Sequence, residues 1–312
     1  MSASLVCSVV IVTWNSERYI GPCLAALAAS TQRSFECIVV DNASTDGTVA
    51  HVRSAYPWVR LIEAGSNIGF VAANNLALRQ ATGNFVLLLN PDAELAPGAL
   101  DVLIDFLYQT PKAGTVAPKL LNSDGTLQYS TFVMPSVGTI AWEYFLRDLV
   151  HPNHQRAGRY VAADYDVERQ VDGVLGACFL VRKAAIEDIG MFDPRFFMYC
   201  EEVDWQERLR RAGWQVWYTP QAEAVHHGGQ SAKLAPVASF LELQRSRFKL
   251  YSKWYARRQR VALETVTRAG MLYQMVFWTK QALRGRLTRA EWHGRIALSC
   301  VVLAMRPSGE RW

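Results

Sequence analysis

Four carboxylates, Glu201, Glu202, Asp204 and Glu207, fall within seven residues of the stretch FMYCEEVDWQERLRRAGW, residues 197–214. One chemistry open to such a group is proton removal from a hydroxyl that comes within about 2.6–3.2 Å of it. A plainer explanation is helix electrostatics: acids in a first turn gain about 0.3–1 kcal/mol from the dipole. Arg208 and Arg211 lie one turn further on, where they pair naturally with Asp204 and Glu207. The stretch alone leaves both explanations standing.

A second group of polar residues closes apolar runs. These are TWN (Thr13, Asn15), DNASTDG (Asp41, Asp46), SNIGF (Asn67, Gly69), NPDAE (Asn90, Asp92, Glu94) and HHGG (His226, His227). Asp, Asn and Ser after a strand commonly cap the next helix, worth about 1 kcal/mol. Capping accounts for Ser44 and Asp46 better than for Asp41, and five such endings together exceed what capping explains. Asp92 is the strongest metal candidate, because the apolar run FVLLLN delivers a carboxylate that needs solvent or a cation. Mg²⁺ or Mn²⁺ requires few protein ligands when substrate phosphates supply the rest. His226 could add an imidazole, which favours Mn²⁺ somewhat, and Gly228 and Gly229 beside it let backbone approach a bulky ligand.

The elements that must position these residues alternate. VCSVVIV (6–12) reads as a strand buried on both faces, ERYIGPCLAALAAS as a helix, FECIVV as a strand and Thr48–Ala55 as a helix. VRLIE, the helix VAANNLALRQA, the strand NFVLLLN and the helix PGALDVLIDFLYQ continue the pattern. Strand and helix return at GVLGACFLVRKAAIEDIG and a strand at WQVWYTP, while 119–172 reads as loops with short irregular elements. Such alternation predicts an α/β fold, a mostly parallel sheet flanked by helices. Ligands of that fold bind beyond the carboxyl ends of the strands, where the polar endings fall.

Of 312 residues, half are apolar and a fifth charged, which suits a folded protein with a substantial core. The net charge of +5 divides unevenly, with 16 Lys and Arg against 4 Asp and Glu from Ser231 onward, and 17 against 24 before it. We therefore divide the chain into a catalytic domain, 1–230, and a basic amphipathic helical extension, 231–312. The six cysteines make no CxxC pair or zinc spacing, and most read as reduced core thiols. The N-terminus has no basic leader, and the longest apolar runs of the tail, near ten residues, fall short of the ~20 that span a bilayer. Absence of a Walker motif, of GxGxxG after the first strand and of GxSxG argues against a P-loop ATPase, a dinucleotide-binding domain and a serine hydrolase.

In order, SVVIVTWNSERYIGPCLAAL, IVVDNASTDGT, SNIGFVAANNLAL, LLLNPDAEL, GVLGACFLVRKAAIEDIGMFDPRFFMYCEEVDWQERLRRAG and AVHHGGQS resemble family 2 glycosyltransferases of GT-A fold, especially the rhamnosyltransferase-like branch of bacterial surface polysaccharide synthesis. The resemblance spans about three quarters of the chain. It implies that Thr13, Asn15 and Asp41 hold the nucleobase and ribose of a nucleotide sugar, and that Asn67, Gly69, Phe70 and Asn75 shape the diphosphate and donor-sugar pocket. Asp92 stands at the last acid of the family's metal motif, His226 completes the metal site, and Gly176 and Ala177 floor the acceptor side. The second acid of the pair before the helix, here Glu202, is the implied general base, acting with inversion at the anomeric carbon. The usual pair is Glu-Asp and this one is Glu-Glu, which keeps Glu201 and Asp204 as rivals.

The implied donor is TDP-rhamnose, with UDP-sugars the alternative, and the acceptor a glycan or lipid-linked hydroxyl. Two other classes stay in view: a catalytically inactive homologue acting as an assembly subunit, and a nucleotidyltransferase, which would release pyrophosphate. Basic and aromatic residues alternate in RSRFKLYSKWYARRQR (245–260), which suits an anionic membrane surface on the cytoplasmic side of the cell membrane, with a homodimerisation module as competitor. No nucleic-acid-binding motif accompanies it.

Overall fold

The structure, a computed structural model, describes residues 5–146 and 164–306. Its strands are β1 (Cys7–Thr13), β2 (Phe35–Asp41), β3 (Arg60–Glu63), β4 (Phe85–Leu89), β5 (Ala93–Leu95), β6 (Ala113–Leu121), β7 (Leu127–Gln128), β8 (Thr131–Phe132), β9 (Arg169–Gln170), β10 (Gly173–Val174), β11 (Cys178–Arg182) and β12 (Gln215–His226). The helices are α1 (Glu17–Ala29), α2 (Thr48–Ala55), α3 (Phe70–Leu78), α4 (Ala99–Gln109), α5 (Val137–Ala141), α6 (Lys183–Ile189), α7 (Glu201–Arg211), α8 (Gln230–Leu234), α9 (Pro236–Trp254), α10 (Arg257–Leu283) and α11 (Arg289–Leu303), with a π-helical turn at Trp142–Leu146.

The chain divides into two compact units. The first carries the main sheet, ordered β3-β2-β1-β4-β11-β6-β12-β5, with β7 on β6 and β9 on β12. β1, β2, β3 and β4 run parallel, β11 is antiparallel to both β4 and β6, β12 is parallel to β6, and β5 is antiparallel to β12. This is the predicted α/β sheet. Successive residues of β1 are all buried, so both faces must be covered. Val9, Ile11, Val39 and Leu87 meet Leu24 and Leu27 of α1 and Leu103 and Ile104 of α4 in one cluster. On the other face Val10, Ile38 and Leu88 are buried, α3 packs on β1 and β2, and the fully buried Trp205 of α7 lies 6.1 Å from the Phe179 ring of β11.

Two elements depart from the reading of the sequence. β6 is a nine-residue strand inside the sheet, though Gly114 and Pro118 interrupt its apolar run. Gly114 is required there, because a Cβ would lie 2.8 Å from Cβ of Trp214. β12 runs on to His226, past a register shift between Thr219 and Glu223, instead of ending near Pro220. Residues 147–163 of the stretch read as irregular, and residues 1–4 and 307–312, lie outside the described residues.

The second unit contains 133–146, 198–200 and 235–306 of the described chain. Its core joins Ile140 and Tyr144 with Phe248 and Tyr251 of α9, Leu263 and Met271 of α10 and Val302 of α11. Arg247, buried with them, donates to the Tyr144 hydroxyl at 3.0 Å and pairs with Glu143. The aromatic stripe of 245–260 therefore faces inward. Tyr199 and Cys200, the two residues before α7, hold φ of 69° and 63°, a left-handed conformation that non-glycine residues rarely adopt.

A polar knot holds the start of β4. The Ser8 hydroxyl donates to Glu36 at 2.6 Å and accepts from the backbone N–H of Thr82 and Gly83 at 3.0 and 2.8 Å. A Cβ on Gly83 would sit 2.5 Å from the Ser8 nitrogen and 2.6 Å from the Cys7 carbonyl carbon, both backbone of a central strand that cannot yield. Gly83→Ala is expected to destabilise the first unit by about 1–3 kcal/mol or more, as overpacking does, read as a lower melting temperature by calorimetry. An unchanged melting temperature would show that β1 and β4 can separate at this end.

Candidate active site

The antiparallel pairing of β12 with β5 sets His226 opposite Ala93, the residue after Asp92. Backbone closes the corner, with His227 N–H donating to the Asp92 carbonyl at 3.0 Å. Asp92 Oδ1 and His226 Nε2 then lie 3.4 Å apart, each residue 7% exposed. Burial pushes the Asp92 carboxyl up, but the hydrogen bond and charge of His226, with backbone N–H groups, outweigh it and leave the carboxyl below its ordinary value.

Gln128 on β7 fixes the imidazole from behind. Its Nε2 donates to Asn122 Oδ1 at 2.9 Å and to the His226 carbonyl at 3.1 Å, which leaves Oε1 to accept from His226 Nδ1 at 2.7 Å. With Nδ1 carrying that proton, Nε2 is the ring atom turned toward Asp92. A cation taking the place of the proton between them would have this ring nitrogen and the Asp92 carboxylate as ligands. Among the described residues no group of three or more His, Cys, Asp or Glu side chains gathers. The chain thus offers two donors, and the donor set fits a hard divalent ion whose other ligands are substrate oxygens and water. His227, next in sequence, bonds to Glu94 at 2.8 Å and to the Ser123 hydroxyl at 2.8 Å.

The first three strands end in a tightly bonded set of loops. Asp41 Oδ1 accepts from Thr13 Oγ1 at 3.1 Å and from the Ser44 hydroxyl, and Oδ2 accepts from Ser44 N–H at 2.9 Å. Asn15, at φ 50°, takes the Thr45 N–H on its Oδ1 at 2.7 Å. Asp46, the residue before the Gly47 cap of α2, accepts from the Thr48 N–H at 3.1 Å. Asn42 bridges to the next loop, donating to Asn67 Oδ1 at 3.0 Å and accepting from Ile68 N–H at 2.8 Å. Gly69 follows at φ 87°, where a Cβ would lie 2.5 Å from the Phe197 ring. Phe70 opens α3, and Asn75, one turn on, makes two reciprocal bonds to the Phe192 backbone at 2.9 and 3.0 Å.

Three of the four carboxylates of α7 have separate fates. Asp204, with no exposure, accepts from Arg208 Nε at 3.0 Å, and the same guanidinium donates to the carbonyls of Ile189 and Met191. Glu207 pairs with Arg211 at 2.7 Å and Arg210 at 3.1 Å. Glu202 instead lies against Gly176, whose added Cβ would sit 3.5 and 3.6 Å from Glu202 Cβ and Cγ. One turn later the buried Gln206 clamps Val174 with two 2.7 Å bonds, its Oε1 accepting from the Val174 N–H and its Nε2 donating to the Val174 carbonyl. Ala177 accepts the Asn90 N–H at 2.8 Å. Asn90 in turn lies 3.4 Å from His226 Nε2. Glu202, Gly176, Ala177, Asn90, His226 and Asp92 thus form one continuous edge.

The family model described as glycosyl transferase family 2 matches residues 8–190. The chain is a family 2 glycosyltransferase. A Mycobacterium tuberculosis protein named N-acetylglucosaminyl-diphospho-decaprenol L-rhamnosyltransferase is 30% identical over 287 residues, covering 88% of this chain and 94% of that protein. The rhamnosyltransferase WbbL of Escherichia coli K12 is 25% identical over 226 residues, 70% of this chain and 82% of its own. Among solved structures, a mannosyltransferase of Pyrobaculum calidifontis in complex with GDP-Man and Mn²⁺ superposes with a TM-score of 0.56 at 16% identity, covering 97% of this chain and 88% of that one. At that identity the likeness concerns the fold, which is GT-A.

In this glycosyltransferase the strand-end residues and Glu202 meet at one sheet edge, while Asp204 is held by Arg208 and both Asp41 oxygens accept bonds from its own loops. Gln128 and Gln206 escaped the sequence reading, whereas the pairing of Arg208 with Asp204 was expected from their spacing. Only the position of Gln206 one turn after Glu202 gave a local signal, since their partners are distant backbone or a single ring nitrogen. Gln128→Leu, which removes the acceptor from His226 Nδ1, is expected to weaken Mn²⁺ binding by about 10–100-fold. Titration of Mn²⁺ followed by its paramagnetic resonance signal reads this directly, and equal affinities would remove Gln128 from the role.

Proposed function

We propose that this glycosyltransferase is a metal-dependent inverting enzyme that moves L-rhamnose from TDP-rhamnose to a hydroxyl of a lipid-linked or polysaccharide acceptor in bacterial surface glycan synthesis. The observation that carries the reading is the single edge running from Glu202 over Gly176 to the Asp92–His226 pair. The name of the M. tuberculosis relative supports both the sugar and a lipid-diphosphate acceptor. The catalytic domain is assigned to 1–230 and the helical extension, serving an anionic membrane surface on the cytoplasmic side, to 231–312. Among the described residues no helix is long and apolar enough to cross a membrane.

Glu202 takes the acceptor hydroxyl's proton as that oxygen attacks the anomeric carbon and the nucleoside diphosphate departs. Its stem on Gly176 and the Gln206 clamp one turn later fix where the carboxylate can reach. Asp92 and His226 would hold a Mg²⁺ or Mn²⁺ ion, whose chemistry there is to neutralise charge on the departing diphosphate. Thr13, Asn15 and Asp41 stiffen the loops that receive the nucleobase and ribose, and Asn67, Gly69, Phe70 and Asn75 shape the diphosphate and sugar pocket. Gly176 and Ala177 leave room for the acceptor.

Thermal stability with TDP, UDP and GDP, each with and without Mn²⁺, tests the donor site: a shift of several degrees that needs both TDP and metal is expected. Glu202→Gln is expected to lower kcat for transfer by about 10²–10⁴, the usual contribution of a general base, while keeping that shift. Transfer at near the wild-type rate would move the base to Glu201, and release of pyrophosphate would make the enzyme a nucleotidyltransferase.

A further inference from the structure

The basic charge of the C-terminal region is unevenly matched. Glu242 takes Arg245 at 3.2 Å and Lys249 at 3.9 Å, and Glu264 takes Arg268 at 3.3 Å and Arg260 at 3.6 Å. Arg247 is buried on Glu143. Phe248 and Tyr251 are fully buried, so the basic and aromatic face of α9 is committed to the core of its own unit.

α10 and α11 differ. Joined by five residues, they run antiparallel, as Arg268 donating to the Met305 carbonyl and Trp292 to the Thr279 hydroxyl show. Their core residues, Leu263, Met271 and Val302, lie toward the open end of this hairpin. Among the described residues, the side-chain hydrogen bonds and ring contacts of 274–298 all stay within the hairpin, such as Arg295 stacked 4.1 Å over Trp278. Along α10 the apolar side chains Leu272 (53% exposed), Val276 (55%) and Leu283 (83%) face water. Their spacing puts them on one face of α10. At the tip Lys280, Arg284, Arg286 and Arg289 are exposed, and none of them makes an ion pair among the described residues.

We infer that the α10–α11 hairpin contacts an anionic lipid surface, with its four tip cations on the headgroups and the Leu272–Val276–Leu283 face at the acyl boundary. An exposed apolar face beside concentrated positive charge is the composition that lies in a membrane interface. The excess of cations at the tip, beside an acid used to cap α11, selects an anionic surface over a second copy of the same basic hairpin, which would repel it. The inference rests on the proposed function in placing the enzyme at a membrane, and it assigns the contact to α10 and α11 instead of α9.

The test is flotation of the full chain with vesicles of phosphatidylcholine alone or with a quarter phosphatidylglycerol. Wild type is expected on the anionic vesicles only, and to leave them at high salt. Reversing Arg284, Arg286 and Arg289 together to Glu is expected to cut partition at least tenfold, since each surface cation contributes severalfold. Val276→Ser with Leu283→Ser, at unchanged charge, is expected to cut it severalfold. Arg257→Glu with Arg258→Glu, equally exposed at the far end of α10, is the charge control and should retain most binding. Tip variants that float like wild type, or a wild type that does not float, overturn the inference. So does sedimentation showing a dimer that the tip variant dissolves without any vesicle binding. The TDP and Mn²⁺ melting shift is measured on every variant: its absence throughout, with flotation still dependent on the tip, would sink the proposed function and leave the hairpin assignment intact.

Discussion

An isolated carboxylate and an isolated imidazole are both costly to bury, and the first unit buries one of each within 3.4 Å. What makes this tolerable is strand direction. β5 reverses immediately after Asp92 and pairs antiparallel with the last residues of β12, so the end of one strand and the start of another coincide at one corner. β11 is also reversed, which brings its N-terminal approach, Gly176 and Ala177, to the same edge as the carboxyl ends of β1, β2 and β4. A purely parallel sheet would send those residues to the opposite edge. The mixed topology therefore creates an edge at which a metal-type donor pair and an acceptor floor can face one ligand.

α7 then brings the carboxylate to that floor. Its polar residues divide by helical position. Asp204 and Arg208, four apart, tie the helix to the 189–191 loop, and Glu202 and Gln206, also four apart, face the 174–176 segment. Trp205 between them is fully buried and donates to the Gly190 carbonyl at 2.8 Å. Dipole and surface pairing, at about 0.3–1 kcal/mol each, explain acids that remain near water. Glu201 and Glu202, at 6% and 7% exposure, stand apart from such acids in being buried at the start of the helix. The longer side chain also matters. A Cβ added at Gly176 would meet the Glu202 stem only at ordinary contact distance, so the longer side chain stands beside a residue that leaves it space.

Which features were legible follows from the range over which each is determined. β1, β2, β4 and the helices between them announce themselves because their burial is continuous and their periodicity local. β6 does not, since its glycine serves close approach to Trp214 and its proline falls mid-run. β12 beyond Thr219 alternates with water, a weaker signal than the apolar run before it. Asp92 and His226 were recognisable as strand endings, but their meeting depends on β12 pairing with β5, a relation no local window contains. Gln128, Asn75 and Gln206 act by gripping distant backbone or a ring nitrogen, and an isolated Asn or Gln carries no mark of that. Asp41 was recognisable as a strand ending, but the bonds from Thr13 and Ser44 by which its oxygens also hold the flanking loops are tertiary.

The same distinction between local pattern and tertiary commitment governs the tail. Composition shows a strongly basic region with aromatic residues, and the densest such stretch is α9. Density is a poor guide to availability, because a helix rich in Arg, Tyr and Phe can satisfy its charges internally. α9 does so with Glu143 and Glu242, and its rings form the unit's core. Charge that remains available lies where acids are scarce and packing partners are few, at the tip of the hairpin between α10 and α11. A cation there keeps its full hydration and its reach. A long helix that leaves leucine and valine in water over about three turns has an uncompensated apolar cost of about 25 cal/mol per Å² exposed. That cost falls when the same face meets an apolar boundary, so the feature that weakens the hairpin in water favours its burial at an interface.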